Sequence, residues 1–86
     1  MTVYVGIDVG RVFHVFSIVD GEGKKLSSGK IQSTKTGLNE LSVVMKQYDV
    51  ALVGMEATGH YWRNLYHSLC KQGYTCSVLN PITTKY

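Results

Sequence analysis

Long apolar runs are missing from this sequence. The longest, Val50 to Met55 counting Gly54, falls far short of the roughly 20 residues that cross a bilayer. No charged segment followed by an apolar stretch opens the chain, so neither membrane insertion nor secretion is expected. Proline occurs once, at Pro81, and there is no repeat, low-complexity tract or long linker; one continuous unit follows. Cysteine occurs twice, at Cys70 and Cys76. Their spacing does not suit a zinc knuckle and there is no second pair, so two reduced, half-buried thiols in a cytoplasmic protein are expected. Charge is also sparse, at 17% of residues against 44% hydrophobic, too little for a disordered chain and enough core for a fold. At 86 residues one small domain is expected of this chain, and not two domains. The net charge of +3 leans only weakly toward a polyanionic partner.

The period of the hydrophobic pattern changes along the chain. Val3, Val5, Ile7 and Val9 alternate with Tyr4, Gly6, Asp8 and Gly10, the period of a strand. Gly10-Arg11 reads as a two-residue hairpin turn with glycine at positive φ. Val12 to Val19 reads as a second strand, and Asp20-Gly21-Glu22-Gly23 as a turn into a more polar third strand, Lys24 to Gln32. Leu38, Leu41, Val44, Met45 and Tyr48 then share one helical stripe, with Glu40 expected in its first turn. Val50 to Met55 reads as a central parallel strand, apolar on both faces. Thr58 is placed to cap a second helix, with Trp62, Leu65, Tyr66 and Leu69 inward and Gly73 as its stop. Thr75 to Leu79 is the fifth strand, ended by Asn80-Pro81. The order is three antiparallel strands, then αβαβ by right-handed crossovers. This is an α/β, ribonuclease H-like plan with a mixed five-stranded sheet, lacking its last helix. Both crossovers run the same way across the sheet, so both helices are expected on one face, with Tyr4, Gly6, Asp8, Leu52 and Glu56 on the other.

Two acids stand out. Asp8 lies inside an apolar strand, where a charge is costly unless it is paired or binds a metal; the plain alternative is a strand-end Asp held by backbone N–H groups. Glu56 follows the most apolar strand, at the carboxyl end where open α/β sheets place ligands; the plain alternative is an acid stabilising a helix N-terminus. If their strands are neighbours the carboxylates converge, and a hard divalent cation resolves their repulsion. His14, His60 and His67 do not make a ligand set. Arg11, His60, Arg63 and Lys71 are weaker candidates for contact with nucleic-acid phosphate, against the commoner reading of a solvated basic surface. Trp62 and Tyr66 sit at core spacing rather than as base-stacking platforms. Lys24-Lys25 protects a strand edge before it does anything else.

The segments Tyr4-Val5-Gly6-Ile7-Asp8-Val9-Gly10-Arg11, Val53-Gly54-Met55-Glu56-Ala57-Thr58-Gly59-His60-Tyr61-Trp62, Gly73-Tyr74 and Leu79-Asn80-Pro81 closely resemble the start of the DEDD-type transposases of bacterial insertion sequences. These are RuvC-like, bridge-RNA-guided recombinases related to pilin-gene invertases. The resemblance covers nearly the whole chain. It implies that Asp8 and Glu56 are the first two acids of a catalytic metal site for Mg2+ or Mn2+. It also implies two further acids and a serine-bearing C-terminal domain beyond Tyr86, with DNA as substrate, a guide RNA as partner and the nucleoid as location. Residues 1–86 are then the incomplete N-terminal part of a RuvC-like nuclease domain, inactive alone, binding metal weakly and prone to homo-oligomerise. Arg11 departs from the lysine common in the family while keeping the charge. Two other classes compete. An actin or sugar-kinase-like nucleotide-binding domain shares the Gly-Ile-Asp opening but offers a hydroxyl residue where Arg11-Val12 stand. The third reading is a non-catalytic remnant or binding module.

Overall fold

The computed structural model describes residues 2–57 and 61–79. Its elements run β1 (Thr2–Val9), β2 (Phe13–Asp20), β3 (Lys25–Gln32), α1 (Lys35–Met45), β4 (Asp49–Ala57), α2 (Arg63–Lys71) and β5 (Cys76–Leu79). They form one five-stranded sheet in the order β3-β2-β1-β4-β5. The pairs β3/β2 and β2/β1 are antiparallel, and β1/β4 and β4/β5 are parallel. This is the α/β, ribonuclease H-like arrangement expected from the order of elements. No helix among the described residues is long and apolar enough to cross a membrane.

Alternation along β1 decides which face is covered. Val3, Val5, Ile7 and Val9 join Phe16, Ile18, Ile31, Val53, Met55 and Ala57 beneath Leu41 and Met45 of α1 and Leu65 and Leu69 of α2, in one buried cluster. Both helices therefore cover one face. The residues in between, Tyr4, Gly6 and Asp8, are exposed on the other.

The connections depart from expectation in instructive ways. The β1–β2 link is Gly10-Arg11-Val12, one residue longer than a two-residue hairpin, and β2 starts at Phe13. Among the described residues positive φ is found only at Gly23 and Gly73; Gly10 is required instead because a Cβ there would run into the Phe13 carbonyl oxygen. The Asp20 turn is held by its own carboxylate, which accepts the N–H groups of Glu22 and Lys24, each at 2.9 Å, an Asx-type turn.

Thr34 caps α1 through its hydroxyl, which accepts the Gly37 N–H at 3.2 Å. Glu40 consequently falls in the second turn, and no acid occupies the first. Gly37 is buried so closely against the end of β3 that a Cβ would strike the Gln32 carbonyl. Tyr48 lies beyond the helix end. The second helix begins at Arg63 with Trp62 as an N-cap that makes no side-chain bond; Thr58 and the Asn80-Pro81 stop lie outside the described residues. Trp62 and Tyr66 are half-buried and meet edge to face at 5.7 Å, in keeping with their core spacing. Strand β4 is central but not apolar on both faces: Val53, Met55 and Ala57 are buried while Leu52 and Glu56 are exposed.

Candidate metal centre on the open face of the sheet

Asp8 and Glu56 are register partners on adjacent parallel strands. In-register residues of neighbouring strands share a face, and their backbones lie about 4.8 Å apart. Both side chains are exposed. None of the side-chain hydrogen bonds among the described residues uses either carboxylate. Asp8 is therefore not held by hairpin N–H groups: the Gly10 N–H goes to His14 Nδ1 instead.

The pairings extend this juxtaposition across the sheet. Asp8 has Val15 on one side and Glu56 on the other, and Glu56 has Leu79. The next row toward the middle of the sheet reads Ser17, Gly6, Gly54, Ser77, four small residues that floor a cavity of about 460 Å³ beside the acids. A Cβ on Gly6 or Gly54 would meet nothing within 4 Å, so the fold of this chain does not itself demand glycine at either position. Sequence reasoning passed over this row. The available signal was glycine inside a strand, which marks a place where something else approaches the backbone.

Two carboxylates suit a hard cation in donor type, but Mg2+ and Ca2+ take six or more oxygens. Among the described residues no group of three or more His, Cys, Asp or Glu comes together. Asp8 and Glu56 alone fall short of that number. The thiols add nothing. Cys70 is exposed rather than half-buried, Cys76 is half-buried, and both are free. Burial pushes the Cys76 thiol up to about 11, with Cys70 contributing, so the metal-binding thiolate is scarce at neutral pH.

The basic candidates do not share one place. Arg11, in the β1–β2 loop, and Arg63, at the start of α2, line a common cavity on the helix side of the sheet. Lys71 stands at the opposite end of α2, and His60 lies outside the described residues. The Lys24-Lys25 pair falls at the start of edge strand β3, as expected of edge protection.

Sheet order, crossovers and an acid pair at the carboxyl ends of two central strands define a ribonuclease H-like domain. The sequence matches the transposase family of the IS110 DEDD type over residues 5–86, and the chain belongs to that family. No curated protein sequence matches it. Among solved structures it is similar to the Fowlpox virus resolvase, determined with its substrate Holliday junction DNA, at 19% identity and a TM-score of 0.58, covering 92% of this chain and 60% of the resolvase. Pelota from Archaeoglobus fulgidus is similar at 13% identity and a TM-score of 0.59, covering 91% of this chain and 26% of that protein. The type II variant of the Aquifex aeolicus Ppx/GppA phosphatase follows at 16% identity and 0.51, covering 94% and 36%. At these identities the likeness is one of fold. The chain spans less than two thirds of each of these structures.

Proposed function

We propose that this chain is the N-terminal part of the RuvC-like nuclease domain of a transposase that cleaves and joins DNA strands, and that Asp8 and Glu56 supply two of its metal ligands. The observation that carries the reading is the in-register pairing of these two acids on the open face, in a chain of the transposase family. A bound Mg2+ or Mn2+ would supply Lewis-acid polarisation of the scissile phosphate and neutralise charge on the attacking and leaving oxygens. The chain's own residues do the placing. Asp8 and Glu56 present their carboxylates at the sheet end, and the Gly6/Gly54 row leaves the backbone bare beside them for a sugar-phosphate chain. Family membership favours this reading over a nucleotide-binding domain of the sugar-kinase type.

Two carboxylates with water do not hold a pair of ions as four acids do, so the 86-residue chain binds divalent metal weakly and cuts no DNA. The complete protein works at the nucleoid with a guide RNA as its second nucleic-acid partner. A second copy of the chain is the partner for the open sheet face.

Mn2+ added to the 15N-labelled chain tests the site directly. Paramagnetic broadening is expected to centre on Asp8, Glu56, Gly6 and Gly54, and to vanish in Asp8→Asn. In the complete protein Asp8→Asn is expected to abolish strand cleavage while DNA binding persists. Cleavage that survives the substitution refutes the assignment, and robust cutting by the isolated chain refutes the claim that its site is incomplete.

A further inference from the structure

On the opposite side of the sheet from the acid pair, a cavity of about 530 Å³ opens where the β1–β2 loop meets the N-termini of both helices. Arg11, Lys35 and Arg63 line it together with His14, Ser33 and Asn64, and no carboxylate among the described residues does. Lys35 and Arg63 are the first residues of α1 and α2. Helix N-termini carry partial positive charge and favour acids, yet neither first turn contains one. Three exposed cations and two positive helix ends thus converge with no protein anion among the described residues facing them. An anion entering from outside meets attraction there and no repelling carboxylate.

His14 is the second, independent sign. It is 95% buried, being only 5% exposed, and its Nδ1 accepts the Gly10 N–H at 3.2 Å. That bond makes Nδ1 the unprotonated nitrogen, so in the neutral ring Nε2 carries the hydrogen. Burial lowers the His14 pKa, which keeps the ring neutral. Nε2–H has no hydrogen-bond acceptor among the described residues, and the side chain borders the cavity. Among the described residues the one buried side-chain polar atom without a partner is Ser42 Oγ, so Nε2–H carries no burial penalty of its own; at the cavity wall it is a neutral donor that an anion oxygen can accept from.

The walls are fixed in advance. Ser33 Oγ donates to the Arg11 carbonyl at 2.6 Å, and the Ser33 N–H donates to the Val12 carbonyl at 2.8 Å, tying the loop to the start of α1. The Arg63 guanidinium lies 5.8 Å from the Trp62 ring, a cation–π distance.

We propose that this cavity is a docking site for a backbone phosphate of the DNA, gripped by Arg11, Lys35 and Arg63 and oriented by the His14 Nε2–H. DNA as the source of the phosphate rests on the transposase reading above. Asp8 and Arg11 are three residues apart, at most about 10 Å along the chain. A strand rises about 3.4 Å per nucleotide, so a strand cut at the acid pair brings another phosphate within reach of the cavity a few nucleotides away.

The experiment measures binding of the 86-residue chain to a short fluorescein-labelled DNA duplex by anisotropy over a range of salt, in EDTA so that the acid pair contributes no metal. Arg11→Gln, Lys35→Gln and Arg63→Gln are each expected to lower the slope of log affinity against log salt by about 0.9, the loss of one phosphate contact. His14→Asn retains an acceptor at the Nδ1 position for Gly10 and lacks Nε2–H; it is expected to weaken binding several-fold with the slope unchanged, because no charge is removed. Lys46→Gln, at the far end of α1, is expected to change neither. Amide NMR spectra of the variants establish that the fold is retained.

The proposal is overturned by any of three results: no duplex binding, slopes unaffected by the three cavity substitutions, or a Lys46→Gln effect as large as theirs. Saturation by inorganic phosphate at concentrations that fully displace the duplex identifies a small-anion site and also overturns it. Loss of the Mn2+ response with these slopes intact strikes the acid-pair reading alone; intact Mn2+ binding with unchanged slopes strikes the cavity alone.

Discussion

Along β1, residues that follow one another directly serve opposite purposes. Val3, Val5, Ile7 and Val9 are at most 7% exposed beneath the helices, while Tyr4 is 41% exposed and Gly6 and Asp8 line the bare side. The strand geometry is the same for both sets. What differs is what lies over them. The covered face holds nearly all the fully buried side chains and so most of the hydrophobic stabilisation. The open face carries acids, glycines and serines at its centre, groups that add little to stability and leave room for a ligand. Buried apolar side chains are concentrated on one side of the sheet, and small and acidic ones on the other.

The largest expected consequence of that division is a difference between two leucines. Leu41, fully buried in α1, should cost about 3 kcal/mol as Leu41→Ala, a large part of a small domain's stability. Leu52→Ala on the open face should cost about 1 kcal/mol or less. Urea unfolding of the pair checks this; equal losses would mean that the open face is covered in solution.

Two glycines sharpen the contrast. Gly37→Ala forces a Cβ into the Gln32 carbonyl and should cost about 2 kcal/mol. Gly54→Ala meets open space and should stay within about 0.5 kcal/mol, while filling the cavity beside the acids and weakening the Mn2+ response. Losing stability at Gly54 as readily as at Gly37 would erase the distinction between the faces.

Tyr4, Phe13, Val15, Leu52 and Leu79 are exposed apolar side chains on the open face, the surface that the proposed second copy would cover. Sedimentation of the chain at high concentration should reveal an assembly that Leu52→Glu weakens about tenfold, equivalent to about 1.4 kcal/mol. A strictly monomeric chain at that concentration would show that this face needs no cover.

The smallest effect concerns pH. Because burial lowers the His14 pKa below its ordinary 6.5, the unfolded chain binds the proton more readily than the folded one. The stability that this residue supports is present above pH 6.5 and is lost as pH falls from there through the folded value. The urea midpoint should decline over that range, and less so in His14→Asn.

The order of elements was legible because each has a clear period: alternation in β1 and β2, a helical stripe in α1, and glycine or Asx turns between them. Asp8 stood out as a charge between Ile7 and Val9 and Glu56 as an acid at the end of the most apolar strand, although both side chains are exposed rather than set in an apolar interior. The parts that escaped depend on distance rather than pattern. Gly10 and Gly37 are glycine because a carbonyl stands close by, and neither carbonyl is identifiable from local sequence. Arg11, His14, Lys35 and Arg63 come from three separate segments, so their common cavity exists only in the folded chain. Strand β4 was misread as apolar on both faces because its alternation is interrupted: Ala51 and Leu52 are consecutive exposed residues. Pairing with β1 shifts there, between Val3 and Tyr4.

That shift sets the phase of everything after it. Before it Val3 pairs with Val50; after it Tyr4 pairs with Leu52, and Ala51 is skipped. Carried on unshifted, the earlier pairing would set Asp8 beside Met55 and turn Glu56 toward the helices, a carboxylate in the core. The skipped residue works like a slip joint. Deleting Ala51 should leave Asp8 and Glu56 in register, because it takes out the one residue that has no partner. Deleting a residue between Leu52 and Met55 should invert the strand beyond it and bury the acid. Tolerance to a change of length in β4 therefore ends at Leu52, one residue past the slip.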